Sequence, residues 1–469
     1  MLTSEQLGLE LGMDLNYLWA HQPEAIEHLT TYKKCILPLI MGTGKTPIAL
    51  LTHKRAKAFP LLILCSGNAL YTWWKHIKQY YPEYLPYTRI VEKDVASARE
   101  AIWNDPTAEI IIAKAKTFLY DRKHGLCRRY FKAIVCDEFH RYLRKRGSQM
   151  FHLLKEYAAQ AQYFWFLSGT PIWKGRQDYW PLLHILNPQK FSSYWRFVDK
   201  FCHVVRGQFG MEILGPRNTE AFRELTKGEI FRPSQPIKLP AIVRQTLPVE
   251  MYPAQAKAYN QIKDEMLLEL VDGGLMVTSH LLAQITRLRQ LCCCPAILDP
   301  KLGYGAGVLA VLDHMEEAED RQHCVWFTPF VDAIPHMQKA LRMAGYEKTV
   351  VFQSGMSMRD LEEAEVSFRL DRETIAIVSI QYAQSFELET GNPGYFIGYD
   401  WYPGTNAQAE GRQRRKTRNE DDSINMFYVQ NLGTYDDKML EDLSMNTLNT
   451  QVDMNDARAI KNILNVGTQ

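Results

Sequence analysis

Long apolar runs are missing from this 469-residue chain. Nowhere do about 18 apolar residues follow one another, so no segment reads as a membrane-spanning helix. The opening Met1-Leu2-Thr3-Ser4-Glu5 lacks the basic start and apolar core of a secretory signal. Charge of one sign is also short: 55 Lys and Arg stand against 53 Asp and Glu, a net of +2. A global field is thereby excluded as the route to a polyanion, and any nucleic-acid contact must come from local patches. Low-complexity segments and short-period repeats are absent. Cysteine is sparse at nine, and three are consecutive, Cys292-Cys293-Cys294. Adjacent cysteines cannot easily share one tetrahedral zinc, and no second Cys/His pair sits at metal spacing nearby. They read as buried, reduced thiols at a helix end, in a reducing compartment such as cytoplasm or nucleus.

What is present is a globular composition, 46% hydrophobic and 23% charged, at a length that exceeds one core and calls for two or three domains. The first half alternates apolar, β-rich runs with helical patterns. Cys35–Ile40, Leu61–Cys65, Glu109–Ala113, Ala133–Cys136 and Tyr163–Leu167 are predicted as strands. Near-continuous apolar strands separated by helices mean a parallel sheet covered on both faces. Phe231 to Pro240 carries three prolines in ten residues and reads as an extended connector. A long helical stretch, Pro253 to Leu291, follows. A second strand set comes after it: Cys324–Phe327, Thr349–Phe352, Ile375–Ser379, Tyr395–Tyr399 and Ile424–Val429. The expected domains are 1–230, a connector and helical brace at 231–300, and 301–469.

The first predicted strand runs into Met41-Gly42-Thr43-Gly44-Lys45-Thr46 and then an apolar-periodic helix. Glycines let backbone N–H groups wrap an anion without Cβ clashes, and the helix N-terminus adds partial positive charge. Lys45 would reach the β- and γ-phosphates and the Thr46 hydroxyl would hold magnesium. The full pattern has an earlier glycine where this chain has Leu39, and an ordinary glycine turn before a helix would show the same short form.

Ala133-Ile134-Val135-Cys136 ends in Asp137-Glu138-Phe139-His140. A carboxylate at a strand tip can hold magnesium through water, and the next one can orient and deprotonate an attacking water. A surface acidic pair is the bland alternative. The strand Tyr163–Leu167 ends in Ser168-Gly169-Thr170-Pro171, whose hydroxyls can bond a carboxylate or form only a turn. Gln408, Arg412 and Arg415 stand at i, i+4 and i+7, on one face of a helix. Guanidinium groups there suit spread phosphate charge; a solvated basic helix fits the same residues.

Together these motifs resemble superfamily 2 helicases of the Asp-Glu-x-His class. The run from Leu167-Ser168-Gly169-Thr170-Pro171-Ile172-Trp173 through Tyr179-Trp180-Pro181-Leu182-Leu183 to Leu186-Asn187-Pro188 resembles the Swi/Snf-like branch. So do Leu62 to Trp73 as motif Ia, Leu288 to Pro295, Val325-Trp326-Phe327-Thr328 as motif IV, and Asp400-Trp401-Tyr402-Pro403. Motif V departs from the family, with Ser385 where glycine is usual. Trp19 to Ile26 is similar to the Q motif.

The resemblance implies an α/β fold: two RecA-like parallel-sheet lobes in tandem, with ATP in the interlobe cleft and helical insertions between them. It implies ATP bound by Gln22 (through adenine), Met41, Gly42, Thr43, Gly44, Lys45, Thr46 and Gln408. Mg2+ would sit on Thr46 and Asp137, with Lys45, Glu138, Arg412 and Arg415 catalytic and Ser168 and Thr170 coupling hydrolysis to movement. DNA, whether duplex, forked or branched, would be gripped by its backbone with little sequence preference. Lys114, Lys116, Thr117, Thr328 and Ser354 are the candidate contacts, and Arg141, Arg144, Lys145 and Arg146 fit either further phosphate contacts or a solvated loop. The expected activity is a DNA-dependent ATPase, a helicase or translocase remodelling branched or forked DNA. An RNA helicase and a nucleotide-dependent DNA-binding subunit with weak turnover are the alternatives. A chain with little beyond two lobes resembles compact phage or bacterial enzymes, acting in the cytoplasm, the host's if phage-encoded.

Overall fold

Six short strands of the first half pair side by side in one direction. They are β1 (Lys34–Leu37), β2 (Leu61–Cys65), β3 (Thr88–Val91), β4 (Ile110–Lys114), β5 (Ala133–Asp137) and β6 (Tyr163–Leu167), in the order β1-β6-β5-β2-β4-β3. The computed structural model describes residues 3–67, 69–92, 95–139, 142–143, 146–169, 175–207, 210–271, 278–317, 323–383, 386–401, 403–414, 423–437 and 439–440. Successive strand side chains point to opposite faces. Ile36, Leu62, Leu64, Ile111, Ile134 and Phe164 therefore enter one buried cluster, while Leu37, Leu61, Ile63, Ile112, Val135 and Trp165 enter another. Both faces are covered, which is why the strands read as unbroken apolar runs. Each such Leu, Ile or Phe contributes about 1.5–3 kcal/mol by leaving water.

Three details of this unit depart from expectation, the first being the edge strand β3, which is absent from the predicted set. β1 stops at Leu37, short of Ile40, because Pro38 has no N–H for the ladder. Between the helices Tyr194–Phe201 and Thr219–Leu225, the chain makes an antiparallel hairpin of β7 (Cys202–Gly207) and β8 (Gly210–Pro216).

Among the described residues, those up to Ile237 form one compact unit and those from Lys238 onward form a second. The second has its own parallel sheet of β9 (Ile242–Val249), β10 (Val325–Thr328), β11 (Thr349–Phe352), β12 (Ile375–Ser379), β13 (Gly394–Phe396) and β14 (Ile424–Asn431), in the order β11-β12-β10-β13-β14-β9. Trp326, Ile377, Tyr395 and Val429 share its main core cluster. β9 was not anticipated. It is an edge strand, where Pro248 is tolerated because one side of the ladder needs no donor. The helices Pro253–Val271 and Thr278–Cys293 also belong to this unit, and the second ends on the cysteine trio. All nine cysteines are free and buried, as the sequence suggests. Among the described residues no helix is long and apolar enough to cross a membrane, and no cluster of three or more His, Cys, Asp or Glu could hold a metal.

Candidate nucleotide site

The sheet order of the first unit brings the carboxyl ends of β1, β6 and β5 side by side, where ligands of such sheets bind. Three of the chemistry-bearing segments leave from those ends. After β1 the chain turns at Met41 and Gly42 and enters the helix Lys45–Ala56. Gly42 (φ +85°) and Gly44 (φ +82°) take left-handed backbone that other residues reach only at a cost. The Lys45 ammonium donates to the carbonyls of Leu39 (2.9 Å) and Ile40 (3.4 Å). Thr46 is half-buried in the first turn of that helix.

The loop is braced from outside. The Thr43 carbonyl accepts from His21 Nε2 (3.0 Å) and from Gln22 Nε2 (3.1 Å). The Gln22 carbonyl oxygen accepts from the Trp19 amide at 2.9 Å. Gln22 is buried, and both ends of its amide are tied to the protein, so its placement fits a brace of the loop.

Asp137 ends β5, and Glu138 follows with φ +46°. A left-handed glutamate costs about 1–2 kcal/mol, the kind of strain found at functional sites. In this conformation Glu138 Oε2 accepts the Ser168 hydroxyl at 3.2 Å. Ser168 is fully buried, and its amide donates to the Leu37 carbonyl at 3.3 Å, tying the end of β6 to the end of β1. At Gly169 a Cβ would meet Met41 Cγ at 2.9 Å and Lys45 Nζ at 3.5 Å, so Gly169 lies against the glycine loop. Loop, carboxylate pair and serine form one constellation.

Asp137 is the electrostatic centre. Burial, and then the Glu138 charge beside it, push its carboxyl up to about 6; a hydrogen bond from Trp73 and the Lys45 charge hold it down. That bond runs from Trp73 Nε1 to Asp137 Oδ2 at 2.9 Å. The Tyr142 hydroxyl donates to the Asp137 backbone carbonyl at 3.1 Å. His21 and Trp73 carry no signal in the sequence beyond their place in the Q-like and Ia-like segments, because their acceptors lie far along the chain.

The remaining candidates scatter. Lys114 ends β4, half-buried, and a Cβ on Gly67 would lie 3.1 Å from its Cε. Lys116 is exposed and Thr117 half-buried on the following helix, Ala115–Lys123. Ser354 is exposed in the turn after β11. Thr328 departs from expectation as a DNA contact. It is fully buried, and its hydroxyl pairs with Cys293 Sγ (3.3 Å) and accepts from the Phe330 amide (3.2 Å), which leaves no surface for a phosphate. The Arg146 guanidinium lies 3.8 Å from the Tyr194 ring centroid. His140, Arg141, Arg144, Lys145, Thr170, Ser385 and Arg415 lie outside the described residues.

The arginine helix also departs from expectation. The helix Pro403–Glu410 stops before Arg412. The Arg412 and Gln413 amides bond back three residues, to Ala409 and Glu410, a tightening that sets in at helix-averse Gly411. Arg412 is buried. Its guanidinium donates to the carbonyls of Ala383 (2.9 Å) and Phe386 (3.4 Å), and so grips the stretch matched to motif V. Gln408 is buried on the helix. Glu410, which the sequence reading passed over, accepts both Arg244 Nε (2.6 Å) and Arg244 Nη2 (2.7 Å) and the Tyr428 hydroxyl (2.9 Å).

A profile of the SNF2-related domain matches residues 21–297, more than half the chain. The chain belongs to the SNF2-related family. The resemblance drawn from its motifs is borne out, and the two parallel-sheet lobes are the α/β architecture which that resemblance implied. This SNF2-related chain is 25% identical over 423 residues to the DNA annealing helicase and endonuclease ZRANB3 of Homo sapiens, a match covering 87% of this chain and 37% of that protein. It is 25% identical over 314 residues to an uncharacterized ATP-dependent helicase of Mycoplasma pneumoniae, covering 66% of this chain and 29% of that one. The chain thus spans little more than a third of the length of the first of these relatives and less than a third of the second. The solved Sulfolobus solfataricus SWI2/SNF2 ATPase core in complex with dsDNA is 19% identical, over 95% of this chain and 96% of that one, with a TM-score of 0.43.

Proposed function

We propose that this chain is an ATP-dependent DNA translocase of helicase type, a DNA-dependent ATPase that remodels forked or branched DNA. The observation that carries it is the constellation at the ends of β1, β5 and β6: a glycine loop with Lys45, the Asp137–Glu138 pair, and Ser168 on Glu138. Family membership and the printed names of the relatives, an ATP-dependent helicase and a DNA annealing helicase, support the substrate and the partner.

The loop amides and Lys45 bind the ATP phosphates, once the ammonium leaves the Leu39 and Ile40 carbonyls. Glu138 takes a proton from the water that attacks the γ-phosphorus; the bond to the bridging oxygen breaks, and ADP leaves with its electron pair. Ser168 fixes which way the base points. Arg412 supplies guanidinium charge to the transferring group, after releasing the carbonyls of Ala383 and Phe386.

Asp137 and Thr46 fit a magnesium ion. Both offer hard oxygen, and a carboxyl pushed up to about 6 by burial beside a second carboxylate is one that a cation would favour ionised. Bound there, magnesium would neutralise charge on the β- and γ-phosphates. Lys114, Lys116, Thr117 and Ser354 are proposed to touch the DNA backbone. Nine free, buried cysteines suit a reducing cytoplasm.

The test is ATP hydrolysis in the presence of single-stranded, blunt duplex, forked and four-way DNA, and of duplex RNA. Forked or four-way DNA should raise the rate most, and RNA should not. Lys45→Ala should lower it roughly 100-fold or more. A rate that no DNA changes would sink the proposal, and stimulation by RNA alone would make the chain an RNA helicase.

A further inference from the structure

We infer that Trp73 is a positioning residue for the reaction: its indole N–H fixes the carboxylate of Asp137 in the orientation that accepts magnesium. The inference rests on the nucleotide reading above. Trp73 lies in the helix Ala69–Tyr80, which follows β2, the strand paired with β5. It is fully buried, and its Nε1 donates to Asp137 Oδ2 at 2.9 Å.

Burying an indole in this unit does not by itself force such a bond. Among the described residues the buried indole nitrogens of Trp165 and Trp180, in the same unit, have no hydrogen-bond acceptor, so this unit buries tryptophan without one. A second tryptophan–aspartate pair shows what a purely structural version looks like. Trp103 donates to Asp121 Oδ2 at 2.8 Å, but Arg99 closes that carboxylate with Nε at 2.9 Å and Nη2 at 2.9 Å. Asp121 is a sealed ion pair with no part in the constellation. Asp137 stands at a strand tip beside Glu138 and the lysine loop, and its side chain is pinned by a neutral donor. A neutral N–H orients a carboxylate without cancelling the charge that a divalent cation needs. Outer-shell donors of this kind change metal affinity or activity by about 10–100-fold when removed.

The experiment measures binding of a fluorescent non-hydrolysable ATP analogue to the full chain, titrated with Mg2+ and repeated in EDTA. Trp73→Phe keeps an aromatic ring and removes the donor. The Mg2+ concentration for half-maximal binding should rise about tenfold, while affinity in EDTA stays at the wild-type value. Trp73→Phe added to Asp137→Asn should cause no further rise, because the two act through one contact. An unchanged Mg2+ requirement would overturn the inference, as would equal losses with and without Mg2+, which mark mere packing. If Trp73→Phe does not fold, replacing Trp73 with 3-benzothienylalanine keeps the ring shape and exchanges only N–H for sulfur, and the same two results decide. A wild-type chain whose nucleotide binding ignores Mg2+ would sink the nucleotide reading itself, and this inference with it.

Discussion

At Gly44 two demands meet on one hydrogen atom. Its φ of +82° is a conformation that costs an alanine about 1–2 kcal/mol. A Cβ there would also collide with the side-chain nitrogen of Gln22, the group that holds the Thr43 carbonyl. Gly44→Ala should therefore release Gln22 and loosen the loop. We expect nucleotide affinity to fall roughly tenfold, since a loosened site loses its preorganisation, with a lower melting temperature for the first unit; a nucleotide titration and a melting curve check it, and two unchanged values would count against the brace. The need for positive φ at Gly44 was legible in the sequence, because glycine loop and helix start are local. The collision with Gln22 was not, since it depends on how the helix His21–Tyr32 docks on the loop. The same divide separates Ser168, whose hydroxyl after a strand suggested a carboxylate partner, from Trp73, whose acceptor is chosen by helix docking alone.

Parallel strands were the most readable elements, because two-sided burial writes them as unbroken apolar runs. Ends and edges were less so. Pro38 trims β1, and β9 hides behind prolines. The i, i+4, i+7 spacing promised a continuous helix through Arg415, whereas Gly411 closes it early and Arg412 turns inward. What keeps that helix in place is the pair between Arg244 of β9 and Glu410, which is 2% exposed. Arg244 is 35% exposed, so solvent screens part of the attraction. Arg244→Leu would strand a buried glutamate and should destabilise the second unit by about 2 kcal/mol, less than the 3–5 kcal/mol of a fully buried pair. Arg244→Leu with Glu410→Leu should recover part of that loss, because the stranded charge is gone. Urea unfolding of the two variants measures the difference; a double variant no more stable than the single would assign the loss to shape, not charge.

Across the whole molecule, the two units carry buried titrating groups of opposite sign. In the first, burial pushes His53 down to about 4; its ring nitrogens lie against the Tyr81 hydroxyl (2.8 Å) and the Ala58 carbonyl (3.2 Å). Burial also pushes His28 down to about 4. An unfolded histidine takes up a proton near pH 6.5 and these folded ones do not, so their contribution to stability is full above that pH and lost as pH falls toward 4. For His53 the loss between pH 7 and pH 5 is about 2 kcal/mol, and His28 adds in the same direction. Asp137, raised to about 6, opposes them by about 1 kcal/mol, because a folded carboxyl that protonates early gains stability as pH drops. In the second unit burial raises Asp436 to about 6, where it accepts from the Asn431 amide (3.2 Å) and side chain (2.8 Å), and this alone adds about 1 kcal/mol of stability between pH 7 and pH 5. Acid should therefore loosen the first unit while sparing the second. Hydrogen exchange at pH 7 and pH 5, corrected for intrinsic rates, resolves the units separately: amides of β1 to β6 should lose protection and those of β10 to β14 should keep it. His53→Gln removes one titrating group and should shrink the loss in the first unit; equal loss of protection in both units would show that neither histidine burial nor Asp436 governs the response.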